Sequence, residues 1–289
     1  MKIENTMNAQ IDFSLEVPYL SFPALSNIPF IKHGFSTRIG GVSDGMFSSM
    51  NLGRGNGPVK DEKEKVLENY RRISRSIGID VNSIVISQQV HKTNIRVVTY
   101  KDRGKGLFIP RDFEQIDGLI TNEPGITLVT KYADCVPLYF VDRKRRAIGL
   151  THSGWRGTVA EIGKCTVEEI HRQYGSEPED IIAVIGPSIC KECFEIGEDV
   201  AVEFEKAFPK AYEFKILERI GDSNKYLCDL WAANRQVLIK AGLREENIHI
   251  SDVCTCCNDD ILFSHRKSAG KRGSLAAFLA ITESQNSSF

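Results

Sequence analysis

The sequence predicts an α+β fold: a single domain with mixed β-sheets flanked by helix layers. Three observations lead there. Short β-type runs cluster in the chain and do not alternate strictly with helices, which disfavours a doubly wound parallel sheet. The helical segments are bounded by glycine stops, at Gly175 and Gly242, where a left-handed residue ends a helix. Finally, no linker-like shift in composition divides the 289 residues, so residues 1–289 read as one catalytic domain despite a length prior near two. Residues 1–12 and 283–289 are polar and are expected to be frayed ends.

Taken in order, His33 to Pro58 is rich in Gly, Ser and Asn with little periodicity. It reads as a long loop, and Phe35, Met46, Phe47 and Leu52 within it favour an ordered, packed one. Asp61 to Ile77 places Val66, Leu67, Tyr70, Ile73 and Ile77 near helical spacing. Ser83–Ser87 and Ile95–Thr99 are expected strands joined through Gln-Gln-Val-His-Lys-Thr-Asn. Strands follow at Asp117–Thr121 and Thr127–Lys131. Val136–Val141 and Ala147–Thr151 form a predicted hairpin around a basic turn. Thr158–Tyr174 is an expected helix, Ile181–Ile185 a buried strand, and Glu198–Phe208 and Leu227–Ala241 helices. Ile248–Val253 and Ile261–Phe263 read as strands, and Ser274–Ile281 is apolar enough to be either strand or helix.

Composition narrows the function. With 37 Lys+Arg against 38 Asp+Glu the formal net charge is −1, which argues against a protein that coats nucleic acid or an anionic membrane. No apolar run is long enough to span a bilayer. The polar N-terminus does not read as a secretory signal, so a cytoplasmic location is expected. In that reducing setting the eight cysteines are buried apolar residues, metal ligands or a nucleophile and not disulfides.

Three residues sit where a strand meets a loop: His91, Cys135 and His152. In an antiparallel hairpin, Cys135 at the start of one strand and His152 at the end of the next share one end. A thiolate and two imidazoles make a three-ligand zinc set that leaves one tetrahedral position for water or substrate. Read singly, each is better explained as a core cysteine or a satisfied histidine; it is their joint placement that favours a metal set. The same residues also fit a Cys–His hydrolase, with Cys135 as nucleophile and His152 as base. Arg156 lies within His-Ser-Gly-Trp-Arg-Gly at a helix start, and Arg38 lies near two glycines. Both are candidate phosphate-binding residues, with Asn51 as a further substrate contact and Trp155 as a surface on which a base can stack. Cys190-Lys-Glu-Cys193 and Cys254-Thr-Cys-Cys257 raise a second metal site. The latter, read as Cys-x-Cys-Cys, lacks the usual knuckle spacing, so structural or incidental roles are expected for these cysteines and a second metal site is not favoured. Cys165 and Cys228 read as core. His152 is followed by Ser153 and Gly154, so the His-x-Glu of cytidine-deaminase-like enzymes is missing.

These residues fall within a set of ordered blocks: STRIGGVS, MNLG, QQVH, DGLIT, TKYADCVPLYF, THSGWRG, IGPSI with CFEIG, and FSHRKSAGKRGSLAAFL. Together they resemble the YfiH/YlmD family, formerly labelled multicopper polyphenol oxidase (laccase-like) and also peptidoglycan editing factor. The resemblance covers about His33 to Ile281. It implies a zinc-dependent purine nucleoside enzyme. Such an enzyme cleaves adenosine, inosine, guanosine and methylthioadenosine with inorganic phosphate and deaminates adenosine to inosine. Its metal ligands fall on His91, Cys135 and His152. The family pattern Phe-Ser-Tyr-Arg-Arg followed by an acidic residue reads here Phe263-Ser264-His265-Arg266-Lys267-Ser268, which adds His265 as a candidate polar group. No residue is marked as general base; Asp134, beside Cys135, is the nearest carboxylate in sequence. Copper is the alternative metal. Six histidines are few for a multicopper set. A peptidoglycan-precursor role is the alternative outside nucleoside chemistry. Oligomeric state is not legible.

Overall fold

The computed structural model describes residues 7–54 and 59–282. The strands are β1 (Gln10–Ile11), β2 (Tyr19–Ser21), β3 (Ile31–Ser36), β4 (Ile84–Ile86), β5 (Ile95–Val97), β6 (Gly118–Thr121), β7 (Ile126–Tyr132), β8 (Val136–Asp142), β9 (Ala147–Ser153), β10 (Ile181–Ile185), β11 (Glu195–Gly197), β12 (Leu217–Arg219), β13 (Lys225–Cys228), β14 (Ile248–Ile250) and β15 (Leu275–Ile281). The helices are α1 (Pro23–Ser26), α2 (Lys63–Ile77), α3 (Trp155–Val159), α4 (Ile162–Tyr174), α5 (Glu198–Ala207) and α6 (Leu230–Lys240).

Two six-stranded mixed sheets, ordered β1-β2-β3-β15-β7-β4 and β14-β10-β8-β9-β6-β5, form the centre, beside a three-stranded sheet β11-β13-β12. The central strands are buried on both faces, and alternate side chains go to different cores. From β7 and β15, Leu128, Tyr132, Leu275 and Leu279 point between the sheets, where they meet Tyr139, Val141, Ile148 and Leu150. Val129 and Phe278 point outward to α2, against Tyr70 and Ile73. Leu138 and Phe140 point to the opposite outer face, against Ile170, Val237 and Leu238 of α4 and α6. The order of layers is therefore helix, sheet, sheet, helix. Two tyrosines tie the sheets reciprocally: Tyr139 donates to the Gly34 carbonyl at 3.0 Å, and Tyr132 to the Thr151 carbonyl at 3.1 Å. Each buried Leu or Ile side chain in these layers contributes about 1.5–3 kcal/mol of burial free energy.

Several boundaries differ from expectation. Gln10–Ile11 pairs with Leu20–Ser21, so order extends into the expected N-terminal fray; residues 1–6 and 283–289 lie outside the described residues. The loop expected from His33 begins after Ser36, because β3 runs Ile31–Ser36 against β15. The helix expected over Thr158–Tyr174 starts earlier and is broken. α3 begins after Gly154, whose carbonyl takes the Thr158 N–H, and Glu161 at φ +57° separates it from α4. The last helix starts at Leu230, not Leu227, since the Asp229 side chain caps the Ala232 N–H and Lys225–Cys228 pairs as a strand. Ile261–Phe263 is not a strand. The N–H groups of Ile261 and Leu262 both bond the Asn258 carbonyl in a turn. The ambiguous Ser274–Ile281 is strand β15 from Leu275. Among the described residues no helix is long and apolar enough to cross a membrane.

Candidate metal centre and anion pocket

The chain crosses between the two central sheets twice near one rim. Residues 87–94 carry it from β4 to β5, and residues 133–135 from β7 to β8. His91 lies in the first crossing and Cys135 in the second. His152 is on β9, where Pro137 pairs with His152 and Val136 with Ser153. The hairpin register therefore places Cys135 and His152 at the same end. One ligand atom from each of His91, Cys135 and His152 lies within 4.8 Å of the others, with Cys135 Sγ 4.0 Å from His91 Nε2. The two imidazoles meet edge to face at 4.9 Å between centroids, and Tyr132 packs on His152 at 5.5 Å.

A fourth residue organises the three. Asp117, fully buried immediately before β6, accepts His152 Nδ1–H at 2.9 Å on Oδ1. The same carboxylate takes the backbone N–H of His91 at 2.9 Å and those of Val90 and Lys92 at 3.0 Å. Three successive N–H groups aimed at one anion form a nest. It holds His91 in the left-handed region at φ +62°, which an L-residue adopts only when its surroundings impose it. The bond to Nδ1 also fixes the His152 tautomer and leaves Nε2 free as a ligand. Burial alone would raise the Asp117 pKa. The bonds from His152, Lys92 and Val90 overcome that and hold it below the ordinary carboxylate value.

Charge at the centre is coupled. Burial would push the Cys135 thiol up, but the neighbouring His152 charge and hydrogen bonds from both imidazoles bring it down to about 6. Burial would lower His152, but Cys135 and Asp117 raise it to about 9. A thiolate beside two imidazoles, one with its second nitrogen on a carboxylate, is the donor chemistry of a three-ligand divalent metal site. Gly154 leaves room for it. A Cβ there would lie 2.7 Å from His91 Cδ2 and 3.1 Å from Cys135 Sγ.

A cavity of about 410 Å³ opens onto this trio, a size that suits a small organic ligand. Four cations line it: Arg54, Arg111, Lys131 and Arg272. None of them has an ion pair among the described residues. Burial, with Arg111 and Arg272 beside it, lowers Lys131 to about 8. A cationic cluster of this kind, without ion pairs, favours a multiply charged anion. Gln89 aligns the wall, its side chain exchanging hydrogen bonds with the Lys131 carbonyl at 2.7 Å and N–H at 2.9 Å.

The arginines singled out by sequence lie elsewhere. Arg38 donates to the Ser48 carbonyl at 3.0 and 2.9 Å and to the Asp259 carbonyl at 2.8 Å, and stacks over Phe263. Its guanidinium is thus committed to holding loops together. Arg156 is exposed on α3 over its neighbour Trp155, and neither residue lines the cavity. Asn51 is fully buried; it bonds Asp61 and accepts from the N–H groups of Gly53 and Ser274 at 3.1 and 2.8 Å. Gly53 and Ser274 do line the cavity, so Asn51 supports its wall from behind. Asp134 has its oxygens engaged by Thr255 Oγ1 and the Arg266 N–H and does not line the cavity. His265 is exposed and outside the cavity lining. Sequence reasoning missed Asp117, Arg54, Arg111, Lys131 and Arg272. Asp117 was visible only as part of the DGLIT block.

A mixed α/β domain with a Cys–His₂ centre beside a cationic pocket defines the class of protein. Residues 32–282 match the family described as multi-copper polyphenol oxidoreductase laccase, and the chain belongs to that family. It is 35% identical over 254 residues to purine nucleoside phosphorylase YlmD of Bacillus subtilis (strain 168), covering 86% of this chain and 88% of that one. It is 37% identical over 212 residues to adenosine deaminase RL5 from an unknown prokaryotic organism, covering 72% and 79%. Among solved structures, the Bacillus licheniformis hypothetical protein YfiH aligns with a TM-score of 0.85 at 32% identity, covering 94% of this chain and 99% of that one. YlmD from Geobacillus stearothermophilus aligns at 0.83 and 33%, covering 92% and 96%.

Proposed function

We propose that this protein is a zinc-dependent purine nucleoside phosphorylase that also deaminates adenosine. The observation that carries the reading is the juxtaposition of a three-ligand Cys–His₂ set with four unpaired cations around one cavity. The relatives named as purine nucleoside phosphorylases and as an adenosine deaminase support it. The substrates are adenosine, inosine, guanosine and methylthioadenosine, with inorganic phosphate as co-substrate.

His91, Cys135 and His152 would hold the metal. Two imidazoles and one thiolate suit zinc better than a multicopper set, which needs more imidazoles than two. Bound there, zinc supplies Lewis-acid polarisation. The remaining work belongs to the chain. Lys131, Arg111 and Arg272 hold phosphate, with Arg54 at the exposed side. Charge stabilisation by these groups is the main term as phosphate displaces the base from the ribose C1′. Asp117 orients His152, and the cavity walls hold nucleoside and phosphate in one orientation. The phosphate role expected of Arg38 and Arg156 passes to the cavity cations.

The test is product analysis with adenosine, inosine, guanosine and methylthioadenosine, with and without phosphate, on wild type, Cys135→Ala and Arg111→Ala. The reading expects phosphate-dependent release of base and ribose 1-phosphate, abolished by Cys135→Ala, with a raised phosphate KM in Arg111→Ala. Full activity of a metal-free Cys135→Ala protein overturns it.

A further inference from the structure

Four cysteines outside the cavity converge from two distant segments. The loops leaving the parallel neighbours β10 and β14 run on side by side. The Ser188 N–H bonds the Val253 carbonyl at 3.1 Å and the Thr255 N–H the Ser188 carbonyl at 3.0 Å. That pairing brings Cys190 and Cys193 against Cys254 and Cys257, with all four sulfurs within 4.8 Å of one another. We propose that these four thiols form a second metal centre, a structural tetrathiolate zinc site independent of His91, Cys135 and His152.

The distances suit a single ion. Zinc–sulfur bonds of about 2.3 Å in a tetrahedron separate the sulfurs by about 3.8 Å. Cys190 Sγ lies 3.9 Å and Cys193 Sγ 3.5 Å from Cys257 Sγ. Each segment is a Cys-x-x-Cys knuckle, at 190–193 and 254–257. Counting to Cys257 and passing over Cys256 restores the spacing that Cys-x-Cys-Cys obscures. Cys256 is buried in the hydrophobic core and is not one of the four. Cys254 Sγ accepts two backbone N–H groups, from Cys190 at 3.2 Å and Cys257 at 3.4 Å, the arrangement that stabilises a thiolate. The Arg266 guanidinium, bonded to the Cys193 and Glu195 carbonyls, places positive charge beside the anionic centre. On binding, the four thiols release their protons to solvent and no redox step is involved.

The site also has a structural consequence. Thr255, inside the second knuckle, donates to Asp134 Oδ1 at 2.6 Å, and the Ile189 N–H, beside the first, bonds the Asp134 carbonyl at 3.0 Å. Asp134 precedes Cys135 and is held at φ +83°. An ion fastening the two knuckles therefore fastens the turn that presents Cys135.

The experiment measures metal content and thiol state on protein purified under reducing conditions without chelator. The expected result is a second equivalent of zinc that persists in Cys135→Ala and is lost in Cys257→Ser and Cys193→Ser. Cobalt-loaded Cys135→Ala should show the absorption of tetrathiolate cobalt. This cobalt measurement decides the matter even if the serine variants fold poorly. It is also unaffected by failure of the nucleoside reading. Zinc confined to the Cys135 centre, native alkylation of Cys193 and Cys257 at the rate of free thiols, or an intact mass reporting a disulfide between knuckles would each overturn the proposal.

Discussion

Asp117 Oδ1 lies 2.9 Å from His152 Nδ1, and the same oxygen is 2.9 Å from the backbone nitrogen of His91. One buried carboxylate thus fixes the ring of one candidate ligand and the backbone of another. Asp117→Asn keeps the volume but presents one acceptor and an amide where four donors converge. The expected outcome is a loss of about 2 kcal/mol in urea unfolding and a metal affinity about 10–100-fold weaker. A variant that titrates zinc like the wild type would refute this role.

Gly154 has φ −73°, so alanine is compatible with its backbone and only space is at issue. Its Cβ would meet His91 Cδ2 at 2.7 Å and Cys135 Sγ at 3.1 Å. His91 is exposed and yields more readily than the buried hairpin. Gly154→Ala should therefore change stability by less than about 1 kcal/mol, while isothermal titration shows weakened metal binding. Unaltered affinity would mean that His91 is not a ligand.

Lys131 carries charge in a pocket that disfavours it. Its pKa, lowered to about 8 from 10.5 by burial and then by Arg111 and Arg272, means that the proton costs folding free energy below pH 8. That cost disappears as pH rises from 8 toward 10.5, where the unfolded state holds more proton. Lys131→Met should stabilise the phosphate-free protein by about 2 kcal/mol near pH 7 and remove the rise in Tm that phosphate gives the wild type. In the wild type, phosphate KM should increase as pH passes through about 8. Thermal melts and initial rates over pH 6.5–9 check both signs.

Arg38 supplies the contrast. Its three bonds to backbone carbonyls and its stacking on Phe263 make it a brace between the early loop and residues 259–263. Arg38→Ala should lower the urea midpoint, with a cost of about 1–3 kcal/mol, and leave the phosphate KM of the folded fraction within about twofold. A large KM effect at unchanged stability would restore the phosphate role suggested by its glycine neighbours.

These cases show what the sequence carried. Continuous apolar runs and helical spacing are local, so α2, β8, β9 and β10 were legible to within a residue or two. The hairpin logic that joined Cys135 to His152 needed only an adjacent antiparallel pair. Lys131 and Arg272 lie in two of the ordered blocks and Arg111 in none; the β15–β7 pairing that brings the first two segments together is non-local. Glycine-flanked Arg38 looked like an anion site because the carbonyls that occupy it lie up to 221 positions away. The bend at Glu161 and the start of α6 depended on one left-handed residue and one cap, below the resolution of periodicity.

His33 gives a pH dependence remote from both cysteine centres. It is 6% exposed, its Nε2 accepts the Phe22 N–H at 2.8 Å, and its ring stacks on Phe22. Burial lowers its pKa to about 4, and a ring nitrogen that accepts the Phe22 N–H is unprotonated, so that bond belongs to the neutral ring. Because the folded pKa lies below the unfolded value of 6.5, the unfolded state takes up the proton first. The neutral ring's contribution is complete above pH 6.5 and is lost as pH falls toward 4, a change of about 3 kcal/mol. Urea midpoints between pH 7.5 and 4 should fall more steeply for wild type than for His33→Gln, which keeps an acceptor and cannot titrate. Parallel curves for the two proteins would show that His33 titrates normally.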